Sequence, residues 1–216
     1  SNPWSLIDQL NKEKEVTGIF ISGHPLDLYR SEIKHFTTCG IENLNQHTQK
    51  QIIHLAGLVS MVNHRSAKNG NGFAIFEIQD YNGSMELRIF GEDYQKFKHL
   101  LEEGMALFIK GRFQKGWKNE ELEFKISEIA LLETIGLQKT NSITIRIPVQ
   151  KLNTEIINQL EELANIQKGP HDLKIEIIDQ TLRNQIKFKS KKFKVLADNQ
   201  FISAIEKLKC DYQINN

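Results

Sequence analysis

Cysteine is nearly absent: only Cys39 and Cys210 occur in 216 residues, far apart in the chain. That excludes a disulfide scaffold and points to a reducing cytoplasm. No apolar run approaches the roughly 20 residues needed to cross a bilayer, and no signal peptide is visible. The expectation is a cytoplasmic protein with no membrane partner. An excess of either charge is missing too. The formal net charge is +1, so no global field draws the chain to a polyanion, and nucleic-acid binding needs a local patch. Residues 50–133 hold 11 Lys and Arg against 12 Asp and Glu, whereas residues 141–216 hold 12 against 9. The basic part is therefore the C-terminal one.

Catalytic signatures are also lacking. No glycine-rich phosphate loop ends in Lys-Ser or Lys-Thr. The seven histidines are scattered, without a CxxC or HxxxH cluster that would hold zinc. Asp80, Glu86, Glu92 and Asp93 have no partner carboxylate placed to share metal ions, as a polymerase or nuclease requires. No catalytic residue, metal or cofactor is expected, and the function should be binding. The chain begins without Met and reads as a piece of a longer protein.

What is present is a pattern of strands. HLAGLVSMVNHR reads as a long first strand, and GFAIFEIQD and SMELRIF as two more around the turn Tyr81-Asn82-Gly83. DYQKFKHLLEEG is a short amphipathic helix. MALFIKGRFQ and ELEFKISEIALL are two last strands around Lys115–Asn119. The order β-β-β-α-β-β describes a five-stranded OB-fold β-barrel, which grips single strands or oligosaccharides on strands two and three. Before it, residues 1–49 read as a helical hairpin and linker. Its first helix runs from about Ser5 to Ile21, and its second follows Ser22-Gly23-His24-Pro25, with Thr37–Gln51 as a polar linker containing a short turn. His24 should hydrogen-bond this turn. After the OB-like region at 50–133, Glu133–Ser142 reads as a second linker. Residues 141–216 form a small α+β unit in the order β-α-β-β-β-α. The fold class is mixed α+β.

Single strands are held by aromatic platforms beside cations that track phosphate. Strand periodicity puts Phe73 and Ile75 on one face of strand two, with Ala74, Phe76 and Ile78 on the other. It turns Arg88 and Phe90 away from Met85, Leu87 and Ile89. Candidate nucleic-acid contacts are therefore Arg65, Lys68, Phe73, Arg88, Phe90, Lys110, Arg112, Lys115, Trp117 and Lys118. Trp117, in a loop between Lys115 and Lys118, is the plainest stacking candidate. Lysines on strand exteriors equally serve solubility and edge protection, and aromatics in a small barrel equally serve packing. In the last unit Lys187, Lys189, Lys191, Lys192 and Lys194 alternate with Phe188 and Phe193. This gives one basic and one apolar face, either a solvated sheet surface or a docking surface for an acidic partner or duplex phosphate.

Three segments together resemble one family. GIFISGHPLDLYRSEIK is similar to the helix-turn-helix passage before the OB domain of bacterial DNA polymerase III alpha subunits. The block from Leu55 to Phe113, with Asp80–Gly83 as a D-x-x-G turn, resembles that OB domain, and ITIRIPV with KGPHDLKIEI resembles the last domain. The resemblance implies a C-terminal piece of a DNA-directed DNA polymerase, with the catalytic aspartates and the sliding-clamp peptide upstream of residue 1. Such a piece should not polymerise DNA alone. It implies single-stranded template DNA, the clamp-loader tau subunit and the rest of the polymerase chain as partners. A protein-interaction scaffold without DNA binding remains open, as does an anticodon-type OB module of an aminoacyl-tRNA synthetase.

Overall fold

The computed structural model describes residues 12–13, 16, 23–47, 51–68, 70–116, 122–179 and 181–215. Apart from Lys12, Glu13 and Val16, the expected first helix lies outside them. The chain divides into two compact units, Ser1–Glu133 and Thr134–Asn216.

The first unit is built on a five-stranded antiparallel sheet in the order β3-β2-β1-β4-β5. The strands are β1 (Ile53–Ser66), β2 (Gly72–Gln79), β3 (Ser84–Phe90), β4 (Ala106–Lys115) and β5 (Leu122–Leu131). β1 is long enough to pair with β4 through its first half and with β2 through its second, bulging between Val59 and Met61. Alternation then dictates the core. Ala74, Phe76 and Ile78 of β2 meet Leu87 and Ile89 of β3 inside, all at most 2% exposed. The helix predicted after β3 is shorter than its pattern. It spans Gly91–Phe97 and tightens into a 3-10 turn at Lys98–Leu100, with Phe97 and Leu101 buried.

A helical segment packs beside this sheet. His24 caps the 3-10 turn Pro25–Tyr29: its Nδ1 accepts the Leu26 N–H at 3.2 Å, while the Asp27 carboxylate accepts the His24 N–H at 3.0 Å. This is the reciprocal arrangement of a capping box. Helix α1 (Arg30–Phe36) continues from it, and Leu26 and Phe36 are buried. The stretch expected as a polar linker contains a 3-10 turn, Ile41–Gln46, whose Ile41 and Leu44 enter the core. Two apolar residues three apart share one side of a 3-10 turn, so a mostly polar segment can still be anchored.

Asp80 holds the tip of the β2–β3 hairpin. Its carboxylate accepts the N–H groups of Asn82 (2.9 Å) and Gly83 (2.8 Å) within the turn, and that of Ile41 (2.7 Å) from the 3-10 segment. One residue thus orders the turn and ties the N-terminal segment to it. The Tyr81 hydroxyl donates to Asp27 at 3.0 Å, the Tyr81 ring lies 4.6 Å from that of His24, and Arg30 pairs with Asp27 at 2.9 Å.

The second unit carries a four-stranded sheet in the order β8-β7-β6-β9. It comprises β6 (Ser142–Pro148), α4 (Thr154–Ile166), β7 (Lys168–Asp179), β8 (Asn184–Val195), α5 (Asn199–Lys207) and β9 (Asp211–Asn215). β6 and β7 run parallel, joined through α4, which needs a crossover of this length. The two strands expected at RNQIKFKS and KFKVLA are one strand, β8, which keeps pairing with β7 across register shifts. Lys168-Gly169-Pro170 begins β7 rather than merely ending a helix, and the terminal strand β9 was not expected. The expected linker at 133–142 is largely helical, as α3 (Leu132–Lys139), because Leu132 and Ile135 supply a buried side.

Two predictions follow from the hairpin clamp. Asp80→Ala leaves three backbone donors without their acceptor and should cost about 2–4 kcal/mol in denaturant unfolding. Unchanged stability would refute the clamp. Burial by itself raises the Asp27 carboxyl, but hydrogen bonds from the His24 amide, Arg30 and Tyr81 outweigh it and hold the group below its ordinary value. A folded value below the unfolded one contributes stability above the ordinary carboxylate range, lost as pH falls through the folded value. Asp27→Asn should therefore melt lower than the parent at neutral pH, with the difference closing in acid. Burial and the bond to Asp27 push the Tyr81 phenol up to about 12, so its share persists until pH rises through that value.

Candidate nucleic-acid interface

The outer face of β1, β2 and β3 carries a short platform. Register places Arg65 opposite Phe73, and Phe73 opposite Phe90. The two phenyl rings stack, with centroids 5.5 Å apart and planes inclined by 23°. Phe90 is 54% exposed, an unusual state for a large apolar ring on a sheet. The next row is Asn63, Ile75 and Arg88, and the one after it Met61, Glu77 and Glu86. The platform is thus cationic and aromatic at one end and acidic at the other. The Arg88 guanidinium forks onto one oxygen of Glu86, Oε1, at 2.7 and 3.1 Å. The Ser60 hydroxyl donates to Glu77 at 2.7 Å. Lys68 is exposed in the β1–β2 loop, three residues beyond Arg65.

Five of the ten expected contacts, Arg65, Lys68, Phe73, Arg88 and Phe90, therefore gather on this face or at its edge. The other five divide. Trp117 and Lys118 lie outside the described residues. Lys115 faces Leu122 across the β4–β5 ladder, and Arg112 faces Lys125. Both neighbours line a groove of about 350 Å³ between β3 and β5, beside Arg88 and Phe90. Lys110 is set apart, between His54 and Glu128 near the start of β1. The sequence reading missed Phe124 and Leu122 as groove residues. No local signal marks them, because the approach of β3 to β5 is a tertiary event.

The acidic residues have structural roles. Asp80 is buried and consumed by three amides, and Glu86 is paired with Arg88. Among the described residues no cluster of three potential metal ligands occurs. None of the described helices is long and apolar enough to cross a membrane.

In the second unit, the basic strand is largely compensated. Lys187 pairs with Glu176 (2.9 Å), Lys189 and Lys194 with Asp172 (2.5 and 3.5 Å), and Lys192 with Glu161 (2.5 Å). The Lys187 and Arg146 bonds outweigh burial and keep Glu176 below its ordinary pKa, and Lys189 does the same for Asp172. β8 also carries the apolar side chains Phe188 and Phe193. With α4 and β7 it forms an open groove of about 490 Å³ lined by Leu152, Ile157, Ile175, Ile177, Phe188 and Phe193.

Comparison with known proteins agrees with this division. Residues 53–132 match the family model of an OB-fold nucleic acid binding domain. Residues 143–215 match that of the DNA polymerase III alpha subunit, C-terminal domain. The DNA polymerase III alpha subunit of Aquifex aeolicus is 27% identical over 210 residues, covering 94% of this chain and 17% of that protein. That of Bacillus subtilis is 26% identical over 203 residues, covering 94% and 18%. The chain therefore spans less than a fifth of the length of these relatives. A solved asparaginyl-tRNA synthetase from Entamoeba histolytica overlaps 44% of this chain and 23% of its own, at 21% identity and a TM-score of 0.32, too low to argue from. Over most of its length the chain is similar to the C-terminal region of DNA polymerase III alpha subunits, with a match to an OB-fold nucleic acid binding domain followed by a match to that family's C-terminal domain.

Proposed function

We propose that the first unit holds single-stranded template DNA on the outer face of β1–β3, as a non-catalytic part of a DNA-directed DNA polymerase. The observation that carries this reading is the stack of the exposed Phe90 on the half-buried Phe73, with Arg65 in the same cross-strand row. A stacked aromatic pair offers π faces to bases of any sequence, and a neighbouring guanidinium offers charge to phosphate. The near balance of charge implies modest affinity, because phosphate neutralisation drives most non-specific binding.

Fluorescence anisotropy of a labelled thymidine oligonucleotide of about 20 bases tests this. Binding should saturate and weaken with salt. With about two phosphates neutralised, by Arg65 and Lys68, the slope of log K against log salt should be about −1.4. Phe90→Ala should weaken binding by about 5- to 150-fold, the equivalent of ~1–3 kcal/mol for a stacked base. Because Phe90 is mostly exposed, that variant should melt close to the parent. Equal affinity of the variant would sink the platform reading.

The second unit we assign to docking a replisome protein, the clamp-loader tau subunit being the partner that the family resemblance implies. The apolar groove along α4, β7 and β8 supports a partner segment with apolar anchors. Phe188→Glu should abolish capture of the purified tau subunit while leaving oligonucleotide binding intact. Retained capture would remove the groove from the interface.

A further inference from the structure

We infer that the groove between β3 and β5 is a nucleobase pocket that prefers guanine, an extension of the platform that rests on the single-strand reading above. β3 and β5 are the two ends of the sheet order, and residues of both line this groove. The space between them is about 350 Å³. That is the lower end of small-ligand sites, and it suits one planar ring system. Three aromatic rings contribute to its walls, beside Met85, Leu87 and Leu122. Phe90 belongs to both platform and groove, while Phe113 and Phe124 meet edge-on at 5.4 Å. A base stacked at Phe90 is therefore already at the groove mouth.

Charge decides which part of a nucleotide enters. The rim holds Glu86 and Glu123 against Arg88 and Lys125, a balanced set that does not attract phosphate. Phosphates stay beside Arg65 and Lys68, and the uncharged base turns inward. The Glu86–Arg88 pair then selects among bases. Both Arg88 bonds land on Oε1, so Oε2 keeps its acceptor capacity. Guanine presents two adjacent N–H donors, N1 and N2, to a carboxylate. Thymine presents one N–H flanked by two carbonyl oxygens, which a carboxylate repels.

The test uses the whole chain with two labelled oligonucleotides of about 20 bases. One is all thymidine. The other carries isolated guanines separated by thymines, so that no quadruplex forms. The guanine-bearing strand should bind about tenfold tighter, equivalent to ~1.4 kcal/mol. In Glu86→Gln the ratio should fall towards one. It should also fall in Leu122→Trp, which fills the groove from β5 and leaves Glu86 in place. Thermal melting of both variants checks their fold. Equal binding of the two strands by the parent, or a ratio that survives both substitutions, would overturn the pocket while leaving the platform standing. Failure to bind either strand would overturn both.

Discussion

The Asp80 carboxylate holds the tip of the β2–β3 hairpin, and the register of that hairpin decides which side chains meet solvent. With the turn closed on Asn82 and Gly83, Phe73 lies opposite Phe90 and Ile75 opposite Arg88. A slip of one residue in β3 would exchange that strand's faces, sending Arg88 and Phe90 inward and Leu87 and Ile89 into water. Core packing and the platform are therefore two consequences of one register. Because Asp80 also accepts the Ile41 amide, the N-terminal segment is tied to the same point.

That segment is more than a lead-in. His24, Asp27 and Arg30 converge on Tyr81 at the hairpin tip. Each contact is modest, since exposed ion pairs contribute little on their own. Together they brace the turn alongside the Ile41 contact. The result is a short, rigid hairpin carrying the exposed aromatic stack. Rigidity matters for stacking, because a ring already held in place loses little freedom when a base covers it.

Electrostatics separates the two units. On the platform the cations are few, and the acidic row of Glu77 and Glu86 bounds their reach. In the second unit the lysines of β8 are numerous but mostly answered by Glu176, Asp172 and Glu161. A run of lysines with carboxylates across the ladder is a weak polyanion site. The unsatisfied feature of that unit is instead the apolar groove along α4, and this turns its reading from phosphate towards protein.

The sequence by itself determined the five strands of the first sheet and the faces of its β2–β3 hairpin. Period-two alternation in GFAIFEIQ and SMELRIF is local, so it marked Phe73, Arg88 and Phe90 as outward residues, and the D-x-x-G turn between them was legible for the same reason. The family resemblance rested on equally local strings. Tertiary structure decided what depended on partners distant in the chain. The polar stretch after Thr37 is anchored because Asp80 reaches Ile41, thirty-nine residues away. β8 is one strand because β7 pairs with both of its ends, on either side of a register shift. Four of the five β8 lysines are paired because carboxylates on other elements meet them. Whether Arg112 and Lys115 lie near Phe90, and Lys110 away from it, depends on how β5 approaches β3. Pattern along a chain reports which face a residue takes; only the approach of distant strands brings their residues to a common site.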